Sequence, residues 1–308
     1  MIETRGLTKR FGATLAVDGL SVTVRPGAIT GFLGPNGSGK STTMRMIMGL
    51  DRPTSGSASV NGRPYEKLRY PMREIGALLD ADAAHPGRSA YDHLLWLAQS
   101  NGIGRARVAD VMDLVGLSQV ARKRVGTFSF GMRQRLGIGA ALLGDPQVLV
   151  LDEPMNGLDA EGILWVRTLM RSFAAQGRAV FVSSHLMSEM EGTADHVIVI
   201  GQGRLIADEP MAQFLAGHSL GSVHVRAPSA TALRPVLESA GGRVREEPDG
   251  SLTVLGLSAP RVGDLALTAG VAVHELWMRS DSLEAVFMKL TQASVQFRAG
   301  SPMSTAGA

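Results

Sequence analysis

The chain contains no cysteine, which excludes disulfides and thiolate metal sites and fits a reducing compartment. Its amino terminus, MIETRGLTKRF, lacks the apolar run of a signal peptide, and no stretch approaches the roughly 18 uninterrupted apolar residues a membrane span needs. If the protein serves a membrane, another chain must supply the spans. Charge of one sign is also missing. The 31 basic and 28 acidic residues leave a net +3 with no basic stripe of the kind that tracks a phosphate backbone, so no nucleic-acid partner is expected. There is no repeat of fixed solenoid period and no sustained heptad pattern.

What is present is globular in character. Hydrophobic residues make up 44% and charged residues 19% of 308 positions, far from the composition of disordered chains. The length suits two domains at roughly 100–200 residues each. Through the first two-thirds, short β-branched runs alternate with amphipathic helical patterns: strands near Leu20–Val24, Ile29–Leu33, Val148–Leu151, Ala179–Ser183 and His196–Ile200. That alternation predicts an α/β layer architecture. A polar, glycine-bearing stretch, Ala216–Gly221, separates it from a second pattern. The latter reads strand Ser222–Val225, helix Thr231–Ala240, strands Arg243–Arg245 and Leu252–Leu255, helix Arg261–Thr268, strand Val271–Trp277 and helix Ser282–Leu290. This β-α-β-β-α-β order predicts a small α+β domain of ferredoxin-like type. The expected division is 1–216, 217–297 and a disordered Gly/Ser/Ala-rich tail, 298–308.

The strand Ile29–Leu33 runs into Gly34-Pro35-Asn36-Gly37-Ser38-Gly39-Lys40-Ser41, followed by a helical pattern that starts with Thr42. This is the strand–loop–helix setting of a phosphate-binding loop. Its glycines let backbone N–H groups turn toward phosphate oxygens, and the helix N-terminus adds its dipole. Lys40 then reaches the β- and γ-phosphates, and Ser41 is a magnesium ligand. The apolar run Val148–Leu151 ends in Asp152-Glu153, so two carboxylates emerge at a strand's carboxyl edge beside that loop. Asp152 is placed to hold magnesium and Glu153 to polarise an attacking water. The plainer alternative is a pair of solvated acids ending a strand.

Between these motifs lies Phe128-Ser129-Phe130-Gly131-Met132-Arg133-Gln134-Arg135, just before an Ala/Leu-rich helix. This run, the Asp152-Glu153 pair, the following Gly157-Leu158-Asp159, and Ser184-His185 after the next strand together resemble ABC ATPases, in order and spacing, from about residue 2 to residue 210. The nearest likeness is to drug- and antibiotic-exporter ATPases of the bacitracin-resistance type. The resemblance implies an ATP-hydrolysing subunit on the cytoplasmic face of a membrane, bound to a separate integral permease. It also implies a head-to-tail dimer of two copies, with ATP and magnesium between the phosphate loop of one and the signature segment of the other. Ser129 and Gly131 would then reach the γ-phosphate in trans; the rival for Ser129 is a plain helix cap. His185 would contact the γ-phosphate, Asp159 would couple the two sites, and Phe11 would stack on adenine, with core packing as the rival for Phe11.

Two segments depart from the family pattern. Phe128, Phe130 and Met132 replace the usual first, third and fifth residues of Leu-Ser-Gly-Gly-Gln. Asp80 stands where a glutamine commonly meets magnesium and the permease; a metal contact and a solvated loop acid are both open readings there. The resemblance also implies that the helical segment Ser89–Gln99 receives the permease, with Tyr91 expected among its exposed positions. Met44, Met46 and Met48 read as gap-filling core residues. A soluble ABC ATPase acting on ribosomes or DNA is the first rival function. It would ordinarily carry two cassettes or a long coiled-coil insertion, and this sequence has neither. A P-loop kinase or GTPase would leave Phe128–Arg135 and His185 without a purpose.

Overall fold

The run Val148–Leu151 carries no polar side chain, so as a strand it needs cover on both faces. In the computed structural model, which describes residues 1–218 and 222–279, all four of its residues are buried. In chain order the first compact unit, Met1–Met211, comprises β1 (Ile2–Phe11), β2 (Thr14–Leu20), β3 (Thr23–Val24), β4 (Ile29–Leu33), α1 (Lys40–Ile47), β5 (Ser55–Val60), α2 (Pro71–Glu74) and β6 (Ile75–Leu78). Three helices follow: α3 (Ala90–Ser100), α4 (Arg105–Leu114) and α5 (Phe130–Leu142). The unit closes with β7 (Val148–Leu151), α6 (Ala160–Ala175), β8 (Ala179–Ser184), α7 (Met187–Met190), β9 (His196–Gly201) and β10 (Arg204–Pro210).

Its main sheet has the order β10-β9-β4-β8-β7-β6. All neighbours are parallel except β10, which pairs antiparallel with β9. Because β4, β8 and β7 are adjacent and parallel, whatever follows each of them emerges at one edge of the sheet, the edge where open α/β sheets bind ligands. A second, antiparallel sheet pairs β1 with β2, β3 and β5. One core joins the two sheets and α1: Ile2, Val24 and Val60 from the antiparallel sheet meet Phe32, Phe181 and Ile198 from the parallel one. The Phe32 and Phe181 rings lie 5.0 Å apart in a tilted pair, within the favourable aromatic range. Met44, Met46 and Met48 are buried in this core, as the sequence suggests. Helices α3, α4 and α5 form a separate cluster around Leu94, Val111, Met112 and Leu136.

Helix α8 (Met211–His218) is followed by β11 (Ser222–Arg226), α9 (Ala230–Ser239), β12 (Arg243–Glu246), β13 (Leu252–Leu255), α10 (Ala259–Thr268) and β14 (Glu275–Arg279). The second compact unit begins at Ala212, so the expected boundary at 216/217 falls inside α8. Its antiparallel sheet has the order β12-β13-β11-β14. Leu233, Leu237, Val262 and Ala266 of the two helices pack on Val223, Val225, Leu252 and Val254. This is the split-βαβ, ferredoxin-like arrangement that the element order suggests.

Several expectations need adjustment. The strand expected at Leu20–Val24 is the end of β2 and the short β3, with Ser21 and Val22 between them. The last strand begins at Glu275 rather than Val271. Strands β1, β5, β6 and β10 carry no strong sequence signal. Tyr91, expected to be exposed, is half-buried, with the Arg122 guanidinium 4.5 Å above its ring. The expected helix Ser282–Leu290 and the tail 298–308 lie outside the described residues. Among the described residues no helix is long and apolar enough to cross a membrane.

Candidate nucleotide site

The loop Gly34–Gly39 links β4, buried along its whole length, to the first turn of α1. Close approach fixes its composition. A Cβ on Gly34 would come within 2.7 Å of the Ile200 carbonyl oxygen, and one on Gly39 within 2.5 Å of the Ala16 oxygen. Gly39 also has φ +103°, a conformation that side chains rarely adopt. The glycines therefore allow the loop to pack closely against the backbones of β9 and β2. Lys40 is buried and donates from Nζ to the carbonyl oxygens of Gly34 at 2.6 Å and Pro35 at 3.3 Å. Burial lowers its pKa, and the nearby Glu153 and Asp152 carboxylates oppose that effect.

The turn after β7 presents Glu153 to the same place. Its Oε1 lies 3.8 Å from Lys40 Nζ, and its Oε2 is 2.5 Å from His185 Nδ1. Asn156 Nδ2 donates to Oε2 at 3.3 Å. Glu153 has φ +51°, unusual for a residue other than glycine. Its backbone is held on both sides: the N–H donates to Ser183 Oγ at 2.9 Å, and the carbonyl oxygen accepts from Gln134 Nε2 at 2.8 Å. Ser183, fully buried on β8, turns its own hydroxyl proton to Asp152 Oδ1. A single hydroxyl thus ties both acidic residues to the neighbouring strand.

A cavity of about 370 Å³ stands at this edge, lined by Asn36–Thr42, Glu153, Asn156, His185 and Ala16. Of the residues expected at the site, Asn36, Gly37, Ser38, Gly39, Lys40, Ser41, Thr42, Glu153 and His185 line it together. Gly34, Pro35 and Asp152 are not among its lining residues. The other four do not meet the cavity within one chain. Phe11 is half exposed, under Lys9 Nζ at 4.8 Å from its ring centroid, so core packing does not account for it. Ser129 caps α5 by accepting from the Met132 N–H at 3.2 Å, and Gly131 lies two residues into that helix. Asp159 caps α6 by accepting from the Gly162 N–H at 2.9 Å.

The oxygen donors Ser41 and Asp152 are hard ligands of the type magnesium takes. Among the described residues no group of three or more His, Cys, Asp or Glu could hold a metal by itself. Asp80 lies elsewhere: exposed, it accepts from the Asp82 N–H at 2.8 Å and lines a separate groove with Ala77, His93 and Trp96.

Sequence reasoning passes over Ser183, Gln134 and Asn156. All three lie inside motifs, one residue ahead of Ser184-His185 or a few residues from Phe128 and Glu153. Polarity does not mark them, since Gln134 stands between two arginines and Ser183 beside Ser184-His185; only their nearness to the motifs could have.

Comparison with known proteins shows the family to which the chain belongs. The ABC transporter family model matches residues 17–156. The bacitracin transport ATP-binding protein BcrA of Bacillus licheniformis is 43% identical over 213 residues, covering 68% of this chain and 70% of its own. The Nod factor export ATP-binding protein I of Burkholderia lata is 34% identical over 303 residues, covering 96% and 98%. Among solved structures, the dimeric post-hydrolysis state of an ATP-binding cassette bound to ADP and Pi shares the fold. Its TM-score is 0.61 at 22% identity, covering 68% of this chain and 99% of that one. The chain belongs to the ATP-binding proteins of ABC transporters. It is the subunit that binds and hydrolyses ATP. A domain of unknown function (DUF8746) matches residues 221–284.

Proposed function

We propose that two copies of this chain close head to tail around two ATP molecules and thereby drive a separate integral membrane permease, working from its cytoplasmic face. The observation that carries this reading is the convergence of Lys40, Glu153 and His185 on one cavity at the edge of the phosphate loop. Lys40 leaves its carbonyl partners for the β- and γ-phosphates, and the loop N–H groups bind phosphate oxygens. Ser41 and Asp152 would hold magnesium, which when bound neutralises charge on those oxygens. Glu153 polarises the attacking water, with His185 orienting its carboxylate and contacting the γ-phosphate. Phosphoryl transfer asks for little more than such positioning and charge stabilisation.

The remaining roles need the second copy. Ser129 and Gly131 stand at the N-terminus of α5, where unpaired N–H groups and the helix dipole favour an anion. They meet the partner's γ-phosphate, and Asp159 couples the two sites. Phe11 offers an exposed ring to adenine. The unit Met1–Met211 makes up the cassette, and the unit that begins at Ala212 is an accessory domain. The relatives' names, bacitracin transport and Nod factor export, point to a small amphipathic cargo, a drug or an antibiotic, moved outward. Nucleic acid has no part in this scheme.

The test is to tag the Glu153→Gln protein in its native host, isolate it from membranes with ATP present and identify what accompanies it. A polytopic membrane protein in near-equal amount is expected. Recovery only in the soluble fraction with ribosomes or DNA would overturn the transporter reading.

A further inference from the structure

Helix α5 touches the turn that carries Glu153 within the same chain at two points. Gln134, 3% exposed, supplies the Nε2 donor to the Glu153 carbonyl oxygen. One helical turn earlier, the Phe130 ring lies against Gly157. A Cβ on Gly157 would stand 2.8 Å from Phe130 Cε1 and closer still to Cδ1, and one on Gly131 would be 3.2 Å from the Gly157 carbonyl oxygen. Gly157 has φ +67°, so both the turn and the ring require glycine there. The turn held at these two points starts at Glu153, with its positive φ, and includes Asn156, which donates to the Glu153 carboxylate. A sparsely populated backbone conformation of this kind persists only when its surroundings over-determine it.

The first turn of α5 is itself anchored. Arg133 donates from Nη1 to the Phe128 carbonyl oxygen at 2.6 Å and from Nε to Asp82 Oδ1 at 2.5 Å. Its guanidinium lies 5.6 Å from the Phe130 ring centroid. Asp82 belongs to the turn after β6, whose neighbours Asp80, Ala81 and Ala83 line the apolar groove. A continuous set of contacts thus runs from the groove through Arg133 and Phe130 to the Glu153 turn.

We propose that Phe130 and Gln134 are positioning residues for Glu153 in cis: α5 clamps the 153–157 turn at two points and so sets the aim of the water-polarising carboxylate. This rests on the role proposed above for Glu153. It gives the replacement of glycine by Phe130 a purpose in this chain, since glycine would leave the Gly157 side of the turn without a packing partner. It also makes one helix serve both nucleotide sites, its N-terminus facing the partner's phosphate while its side chains hold its own chain's Glu153.

The experiment combines steady-state hydrolysis, nucleotide binding and thermal melting on full-length protein carrying Phe130→Ala, Phe130→Leu, Gln134→Met, Gly157→Ala and the double change Phe130→Ala with Gly157→Ala. Phe130→Ala and Gln134→Met are expected to lower kcat by about tenfold or more, as misplacement of a reacting group does, with KM and ATP affinity within about twofold. Phe130→Leu, which keeps bulk against Gly157, recovers most of that loss. In the Glu153→Gln background, Phe130→Ala still dimerises at the same ATP concentration. Removing the ring makes room for the new methyl group, so Phe130→Ala partly relieves the melting defect of Gly157→Ala, a non-additive result that reports the contact whatever Glu153 does. Additive melting shifts, a loss confined to dimerisation, or an unchanged kcat would overturn the proposal. A parental hydrolysis rate in Glu153→Gln alone would instead remove the reading on which it rests, leaving the melting cycle unaffected.

Discussion

His185 Nδ1 and Glu153 Oε2 lie 2.5 Å apart, joining the residue after β8 to the turn after β7. A positioned acid–base group contributes roughly 10²–10⁴-fold to rate, and in the proposed mechanism the histidine holds Glu153 in that role. His185→Ala should therefore lower kcat within that range while ATP affinity changes little. Loss of binding instead of turnover would reassign His185 to nucleotide capture.

Ser183 gives a second prediction, in stability as well as rate. Its buried hydroxyl serves Asp152 and the Glu153 N–H together, so Ser183→Ala leaves two polar groups without that partner. Each such group costs about 1–3 kcal/mol when desolvated and unpaired. Denaturant melts should show a loss on that scale, with a fall in kcat. A variant that is fully stable and active would mean that water replaces the hydroxyl at no cost.

Lys40 sets a pH dependence whose sign is opposite to that of a stabilising ion pair. Burial lowers its pKa below the usual 10.5, so near that value the folded chain binds fewer protons than the unfolded one. Stability contributed by this group consequently rises with pH up to the usual lysine value, and at neutral pH the buried charge is a burden. Lys40→Met should abolish ATP binding, yet melt without nucleotide at or above the parent temperature at neutral pH. The difference should narrow on the alkaline side. A variant that melts lower at neutral pH would show that the bonds to Gly34 and Pro35 outweigh the burial of the charge.

Ser129 caps α5, and a pair of measurements can separate that role from the one proposed for it across the dimer. As the cap of α5 it should contribute about 1 kcal/mol, lost in Ser129→Ala. In trans it should contribute to closing the dimer. ATP affinity of the single chain should stay near parental while ATP-driven dimerisation weakens, and Ser129→Asn, a comparable cap, should recover stability without recovering dimerisation. Recovery of both together would leave the cap as its whole role.

Much of the nucleotide site is readable in the sequence because its residues are bound to local geometry. The glycines of Gly34–Gly39 answer to close backbone approach, and the position of Glu153 follows from an apolar strand that must be buried. The parts that escape are relations between segments distant in sequence. Ser183 matters through Asp152 and Glu153, and Phe130 through Gly157, and no periodicity within either segment announces those contacts. The missed strands have a similar cause. Strand β1 alternates Ile2, Thr4 and Leu7 with charged, solvent-facing positions, and β5 is built of Ser, Gly and Ala with only Val60 fully buried. Their stability comes from antiparallel pairing across the second sheet, which a local pattern does not reveal.

The central claim is that Glu153 polarises the water that ends an ATP-closed dimer. It is tested most directly by measuring, on purified Glu153→Gln protein, the sedimentation of the chain with and without ATP and magnesium, together with its hydrolysis rate. The account predicts a monomer without nucleotide, a stable dimer with ATP, and hydrolysis reduced by roughly 10²-fold or more. A monomer under both conditions that still hydrolyses ATP at the parental rate would contradict it.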